Sequence, residues 1–259
     1  MYTSQALLVL ALCFVAAASL SLGVSRFVSV AARRRHHEVG IAVFLQIGVI
    51  YAVLLAFVFS EVWDQFNGSS QVVDAECSSL LGIAERANNI PADARIQLRH
   101  DIVSYLKLEI DEEWPAMQHR RFSLAASDAF TRIYDQIAGV DPATPRIAAA
   151  RDRMLALAGE VHTKRAERLF QLRSNVPPFL WGLLLVDAAM LIAFVLFSGI
   201  EHSLVQLAMV GVFATFVCGI LLTIHLLDFP FEGTISISPE PVVQTLDEVR
   251  AMIARGKEA

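Results

Sequence analysis

The strongest constraint in this sequence is a set of four long apolar stretches. They cover residues 6–24, 40–60, 179–199 and 203–227. Each is close to the roughly 20 residues that an α-helix needs to cross a bilayer. A core helix of a soluble protein carries a polar stripe along one face, and these stretches lack one. The sequence therefore predicts an all-α membrane protein with four transmembrane helices.

The remaining composition excludes several classes of protein. A net charge of -5 argues against a nucleic-acid binder, and three cysteines cannot form a disulfide framework. Cysteine and histidine do not occur at zinc-ligand spacing, so we expect no metal site and no cofactor. The sequence has no nucleophile with a base at recognisable spacing and no glycine-rich phosphate loop. We therefore expect a protein that is not an enzyme.

The polar parts of the chain predict two further regions beside the transmembrane segments 1–60 and 179–227. Residues 61–178 are interpreted as a helical extramembrane domain inserted between spans 2 and 3. Within it, Thr144 followed by Pro145 is a typical helix start. Residues 228–259 are interpreted as a C-terminal tail with a short extended segment at 234–238 and a closing amphipathic helix.

Two questions about membrane topology stay open at this stage. Ala16, Ala17 and Ala18 resemble a signal-peptide cleavage site, but no positive charge precedes the apolar run, which favours a retained span. Arginines at 33–35 favour a cytoplasmic loop between the first two spans, which would place the helical domain outside the cytoplasm. Basic residues at 164–173 oppose that orientation.

Asp187 is the one acidic residue inside a predicted span, and such a residue is a functional candidate. It lies at about the depth of Tyr51, so a hydroxyl–carboxylate contact is geometrically possible. The alternative to a functional role is a neutral carboxyl that forms a hydrogen bond within the protein. Four carboxylates at 109–113 fall at a predicted helix end and favour a salt-bridged surface over a cation site, with residues 119–121 as candidate partners.

The second span has an apolar face that would suit either a pore constriction or ordinary packing. This face comprises Phe44, Ile47, Tyr51, Leu55, Val58 and Val62. Glu61 and Asp64 follow it and would favour cations. Small residues recur every four positions in the second span from Gly48 and in the fourth span from Gly211, which fits packing within the chain or a seam between subunits.

Five strings occur in order along the chain: YAVLLAF at 51–57, VWDQF at 62–66, EWPAM at 113–117, PPFLW at 177–181 and LDFPFEG at 227–233. Together they resemble the bestrophin-like domain family, a mostly bacterial membrane family distantly similar to bestrophins. The family-motif residues are Glu76, Glu113, Trp114, Pro115, Trp181, Asp228, Pro230, Phe231 and Gly233.

The resemblance implies a homo-oligomeric, pentameric ion channel of a bacterial inner membrane, with lipid and inorganic ions as partners and a cytosolic helical domain. The pore or functional candidates are Tyr51, Phe57, Phe59, Glu61, Trp63, Asp64 and Asp187. The alternative function is a non-conducting membrane protein whose helical domain binds a partner or senses a condition.

Overall fold

The computed structural model describes residues 3–27, 37–173, 176–198, 200 and 202–257. These residues form helices and connecting loops, without a strand in the described ranges. The arginines at 33–35 and the predicted end of the third span at residue 199 lie outside them. The α-helices are α1 (Thr3–Phe27), α2 (His37–Arg86), α3 (Ala92–Leu108), α4 (Trp114–Met117), α5 (Leu124–Ala138), α6 (Pro145–Phe170), α7 (Pro178–Leu196), α8 (Ser203–Leu227) and α9 (Glu240–Lys257).

Four of these helices are long and apolar enough to cross a membrane. They are Ser4–Phe27, Gly40–Asn89, Pro178–Leu196 and Ser203–Leu227. The four predicted spans are confirmed as helices. The second is much longer than its apolar part, because α2 continues for a further 26 residues after Ser60, through Arg86. Below, "second span" means residues 40–60 of α2.

The chain divides into two compact units. The transmembrane unit contains residues 1–65 and 174–228, and the helical domain contains residues 66–173 and 229–259. In the transmembrane unit, α1 packs against α8 in antiparallel fashion. Leu10 lies near Gly219, and a side chain at Gly211 would overlap the ring of Phe14. Glycine at 211 therefore permits a close helix–helix approach.

Local sequence explains where the helices of the domain begin. The Ser123 hydroxyl accepts a hydrogen bond from the Ala126 amide at the start of α5. The Thr144 hydroxyl caps α6 through the Ile147 amide, and Pro145 is its first residue. These caps satisfy amide groups that a helix start leaves unpaired. The predicted start of α6 is confirmed.

The C-terminal residues complete the core of the helical domain. Val242, Leu246 and Val249 of α9 are buried at helical spacing. Residues 234–238 form bends and coil rather than a strand. The buried Arg99 donates to the carbonyl oxygens of Ala84, at 3.0 and 3.1 Å, and of Met252, at 3.3 Å. This one guanidinium thereby links the end of α2 to the end of α9.

Candidate functional site

The second span has two opposite faces with different surroundings. Tyr51, Leu55, Val58 and Val62 are buried within the chain. The other face is exposed and comprises Gln46, Val49, Ile50, Val53, Phe57, Glu61 and Asp64. Spacings of three and four residues place this second set along one side of the helix. The face that the sequence offered for a constriction thus packs against the rest of the transmembrane unit.

The exposed face is apolar at its centre and polar at both ends. Val53 and Phe57 are 51% and 73% exposed. Glu61 follows one turn later and accepts a hydrogen bond from Gln65 at 2.6 Å. Among the other candidates, Phe59 stacks on Trp63 with ring centroids 6.3 Å apart, and both lie beside this face rather than at its centre.

Tyr51 and Asp187 lie close enough to interact electrostatically. The Tyr51 hydroxyl is buried and makes no hydrogen bond in the part of the chain that the structure describes. The structure therefore brings the two groups together without the direct hydrogen bond that the sequence allowed. Asp187 is half-buried on α7.

A cavity of about 520 Å³ opens between the second span, α7 and α8. Its lining is almost wholly apolar and includes Gly48, Ala52 and Ala56, the small-residue series of the second span. Ala52 and Ala56 remain exposed. By contrast, Gly211 and Gly219 of α8 pack against α1. The small residues of α8 therefore pack within the chain, whereas those of the second span border an open groove.

The helical domain contains a buried charge cluster, which we define as Glu76, Glu109, Glu113, Arg165 and Arg168. Arg168 is fully buried and lies at its centre. Its Nε donates to Glu76 Oε2 at 2.9 Å, and its Nη2 approaches Glu109 Oε1 at 2.5 Å and Glu113 Oε1 at 3.1 Å. A single guanidinium is thus shared by three carboxylates.

Additional hydrogen-bond donors contact two of the three carboxylates, Glu76 and Glu113. Tyr105 donates its hydroxyl to Glu76 Oε1 at 2.6 Å. Arg165 pairs with both oxygens of Glu113 through Nε and Nη2, and the Ser123 amide donates to the same carboxylate at 3.4 Å. Glu109 has only Arg168, and its Oε2 atom is buried without a hydrogen-bond partner.

Burial and neighbouring charges shift the pKa values in this cluster. Burial and then repulsion by Glu76 raise the pKa of Glu109 to about 8, despite the attraction of Arg168. Burial opposes the charge of Arg168, but the carboxylates of Glu76 and Glu109 outweigh it and raise the pKa of Arg168 well above its ordinary value. Burial also raises the pKa of Tyr105, which keeps its hydroxyl protonated as a donor.

The structure of the acidic residues at 109–113 differs in two respects from what the sequence predicted. The chain continues through a π-helical turn, Glu109–Glu113, into α4 rather than ending there. Glu109 and Glu113 are core residues, and only Asp111 and Glu112 lie on the surface. Their four-residue spacing places both buried acids on the same face. Their partners come from α6, whereas Arg120 pairs with Glu232 at 2.6 Å.

Several family-motif residues support the loop before α9. The Trp114 indole donates to the Ile237 carbonyl at 3.3 Å and meets the Phe231 ring edge-on at 5.8 Å. Pro230 accepts from the Ile237 amide at 2.8 Å. Gly233 has a φ of 80°, which favours glycine. Pro115 occupies the first turn of α4, where its missing N–H costs little.

Two other motif residues act in the transmembrane unit. The buried Asp228 accepts a hydrogen bond from the Val176 amide at 3.1 Å. The Trp181 ring meets the His225 ring edge-on at 6.0 Å. Both contacts join the start of α7 to the end of α8, so the motif residues here have a structural role.

Sequence reasoning missed the partners of Glu76 and Glu113. Arg165 and Arg168 are three residues apart on one helix, which places them on the same face. That spacing, matched to the four-residue spacing of Glu109 and Glu113, was the available signal. Among the described residues, no group of three or more histidine, cysteine, aspartate or glutamate side chains could hold a metal ion.

Comparisons with known proteins agree with the resemblance in the sequence. The model of the bestrophin-like domain family matches residues 12–242. A crystal structure of a mutated bacterial bestrophin homologue from Klebsiella pneumoniae has 14% identity and a TM-score of 0.67, covering 95% of this chain and 99% of that chain. A second structure of this homologue has 13% identity and a TM-score of 0.67, covering 94% and 98%.

A third crystal structure, described as a membrane protein, has 12% identity and a TM-score of 0.66, covering 94% of this chain and 98% of the other. No curated protein matches the sequence. The structural likenesses establish the fold, and the four apolar helices identify an integral membrane protein. Because the family model covers most of the chain, the protein is a member of the bestrophin-like domain family.

Proposed function

We propose that this protein is an oligomeric ion channel whose pore is lined by the exposed face of the second span. The observation that carries the proposal is the exposure of Val49, Val53 and Phe57 on the face opposite the one that packs within the chain. A face with this composition forms a narrow apolar passage when copies of the chain surround a common axis. Apolar constrictions gate ion flow by dewetting.

Charge at the end of this face favours cations. Glu61 and Asp64 are exposed and continue the line of Phe57 toward the C-terminal end of α2. In a symmetric oligomer, each position becomes a ring of carboxylates, and such rings select cations. The pentameric state follows from the family resemblance, and a bacterial inner membrane is the location that fits it.

The apolar groove of the transmembrane unit supports assembly with further copies. Its small residues Gly48, Ala52 and Ala56 line an open cavity of about 520 Å³. Small residues allow close approach of helices in lipid, where no hydrophobic force drives association. The groove is therefore a suitable seat for a helix from a neighbouring subunit.

Ion flux into liposomes tests the proposal. We expect the purified full-length chain to conduct, and Phe57→Ala to raise the flux severalfold by widening the apolar constriction. Leu185→Ala is the matched control, because Leu185 is 56% exposed on α7, away from the proposed pore. The double variant Glu61→Gln, Asp64→Asn should lower the preference for cations over anions.

The opposite outcome defines the alternative function. Flux no greater than that of empty liposomes, from a particle with the mass of one chain, would contradict the channel and favour a non-conducting protein that uses its helical domain for binding or sensing. Asp187→Asn belongs in the same experiment. Unchanged flux and unchanged stability would remove Asp187 from the functional candidates.

A further inference from the structure

The buried charge cluster has more acidic than basic groups. Glu76, Glu109 and Glu113 supply three carboxylates, and Arg165 and Arg168 supply two guanidinium groups. All five side chains are buried, and four of them, Glu76, Glu109, Glu113 and Arg168, are at most 1% exposed. A net charge in such a site is costly, so a buried group neutralises instead.

The hydrogen bonds show which carboxylate is the least stabilised. Glu76 receives bonds from Arg168 and Tyr105, and Glu113 receives them from both arginines and from the Ser123 amide. Glu109 receives one contact, from Arg168 to Oε1, and its Oε2 has none. A protonated carboxyl keeps Oε1 as an acceptor, so this contact is compatible with a neutral Glu109.

We propose that the buried charge cluster binds one proton at neutral pH, held on Glu109 Oε2, and that loss of this proton in alkaline conditions loosens the helical domain. With the proton bound, two carboxylates balance two guanidinium groups. Without it, one negative charge remains in a core closed to water. The inference concerns the helical domain and holds whether or not the chain conducts ions.

The titratable groups around Glu109 come from each element that contributes to its environment. Glu76 and Cys77 lie on α2, and Tyr105 lies on α3. Glu113 ends the π-helical turn, and Arg165 and Arg168 face Glu109 from α6. Thr245 of α9 bonds to Cys77 and carries no charge. The arginines stay charged throughout the physiological range, so Glu109 is the group that changes state.

The direction of the pH effect follows from proton linkage. The pKa of Glu109 is raised from 4.5 to about 8 on folding, so the folded domain holds a proton that the unfolded chain releases between these values. The contribution of Glu109 to stability is therefore greatest below about pH 4.5 and decreases up to about pH 8. Between these two pH values, the titration of Glu109 should raise the unfolding equilibrium constant by roughly tenfold per pH unit.

Infrared spectroscopy of the full-length protein tests the proposal. We expect a carbonyl band of a protonated, buried carboxylic acid at pH 6 that disappears with a midpoint near pH 8. Glu109→Gln, which mimics the protonated form, should abolish the band and flatten the pH dependence of stability. Asp111→Asn is the matched control from the same turn, because Asp111 is exposed, and it should change neither.

Two further outcomes keep the inference open to refutation. If the band persists in Glu109→Gln, the proton is on another group. If the wild-type protein lacks the band at pH 6, the cluster holds no proton. Either result contradicts the proposal. If Glu109→Gln fails to fold, Glu76→Gln provides the second variant. Removing that neighbouring charge should lower the pKa of Glu109, so the band should disappear at a lower pH than in the wild type. An unchanged midpoint would overturn the proposal.

Discussion

The two compact units of this protein treat buried polar groups in different ways. In the helical domain, Arg165 and Arg168 meet three carboxylates from two other helical segments. In the transmembrane unit, Thr215 and Thr223 bond to carbonyl groups one turn earlier in the same helix, at 2.7 and 2.9 Å. The buried hydroxyl of Tyr51 bonds to nothing in the described residues.

The difference shows what specifies each unit. A buried ion pair in the helical domain requires precise partners from distant parts of the sequence. The spans are surrounded by lipid, and their mutual fit depends on the size of side chains such as Gly211 against Phe14. Losing one charge should therefore harm the domain more than adding one methyl group harms the spans.

The largest effect is expected from Arg168→Met, which leaves three buried carboxylates with one guanidinium. We predict a loss of about 3–5 kcal/mol in the stability of the helical domain. Trp114 is the one tryptophan of that domain among three in the chain. Its fluorescence during denaturation, in a Trp63→Phe, Trp181→Phe background, therefore reports on the domain alone.

The control for this variant is Arg151→Met, which removes a surface pair with Asp152. Exposed ion pairs contribute about 0–1 kcal/mol, so Trp114 should report little change. Equal losses in the two variants would contradict the central position that the structure gives to Arg168.

A moderate effect is expected from Gly211→Ala in the transmembrane unit. The added methyl group overlaps the ring of Phe14, and overpacking of this kind costs about 1–3 kcal/mol. Gly219→Ala is the matched control, because its methyl group would meet Leu10 at an ordinary 3.8 Å. Thermal unfolding in detergent should show a lower midpoint for the first variant than for the second.

The smallest effect is expected from Thr144→Ala, which removes the cap of α6. Losing such a cap costs about 0.5–2 kcal/mol, measured as domain stability through Trp114. Thr131→Ala is the control, since the exposed Thr131 hydroxyl bonds only within α5. A cost no larger than that of the control would mean that the capping bond contributes nothing measurable.

Much of the fold could be predicted because its signals are local. Apolar runs of sufficient length identify the four spans, and Thr144 with Pro145 identifies the start of α6. The charge cluster could not be predicted in this way, since Glu76 and Arg168 are 92 residues apart. The acids at 109–113 favoured a surface because nothing in their own segment showed which two of them face the core.

The candidate pore face illustrates a similar limit. Both sides of the second span are rich in apolar residues, so the sequence alone did not distinguish the face containing Tyr51 and Leu55 from the one containing Val53 and Phe57. The structure separates them through burial. Packing against α7 and α8 is a property of three helices together, and no single segment encodes it.

Cysteine crosslinking along the second span tests most directly whether its exposed face meets other copies of the chain. In a background without the native Cys13, Cys77 and Cys218, we predict disulfide-linked dimers in membranes for Val53→Cys and Phe57→Cys. Leu55→Cys and Val58→Cys, on the buried face, should give no disulfide-linked dimers. Crosslinks at the buried positions, with none at the exposed ones, would contradict the proposed pore.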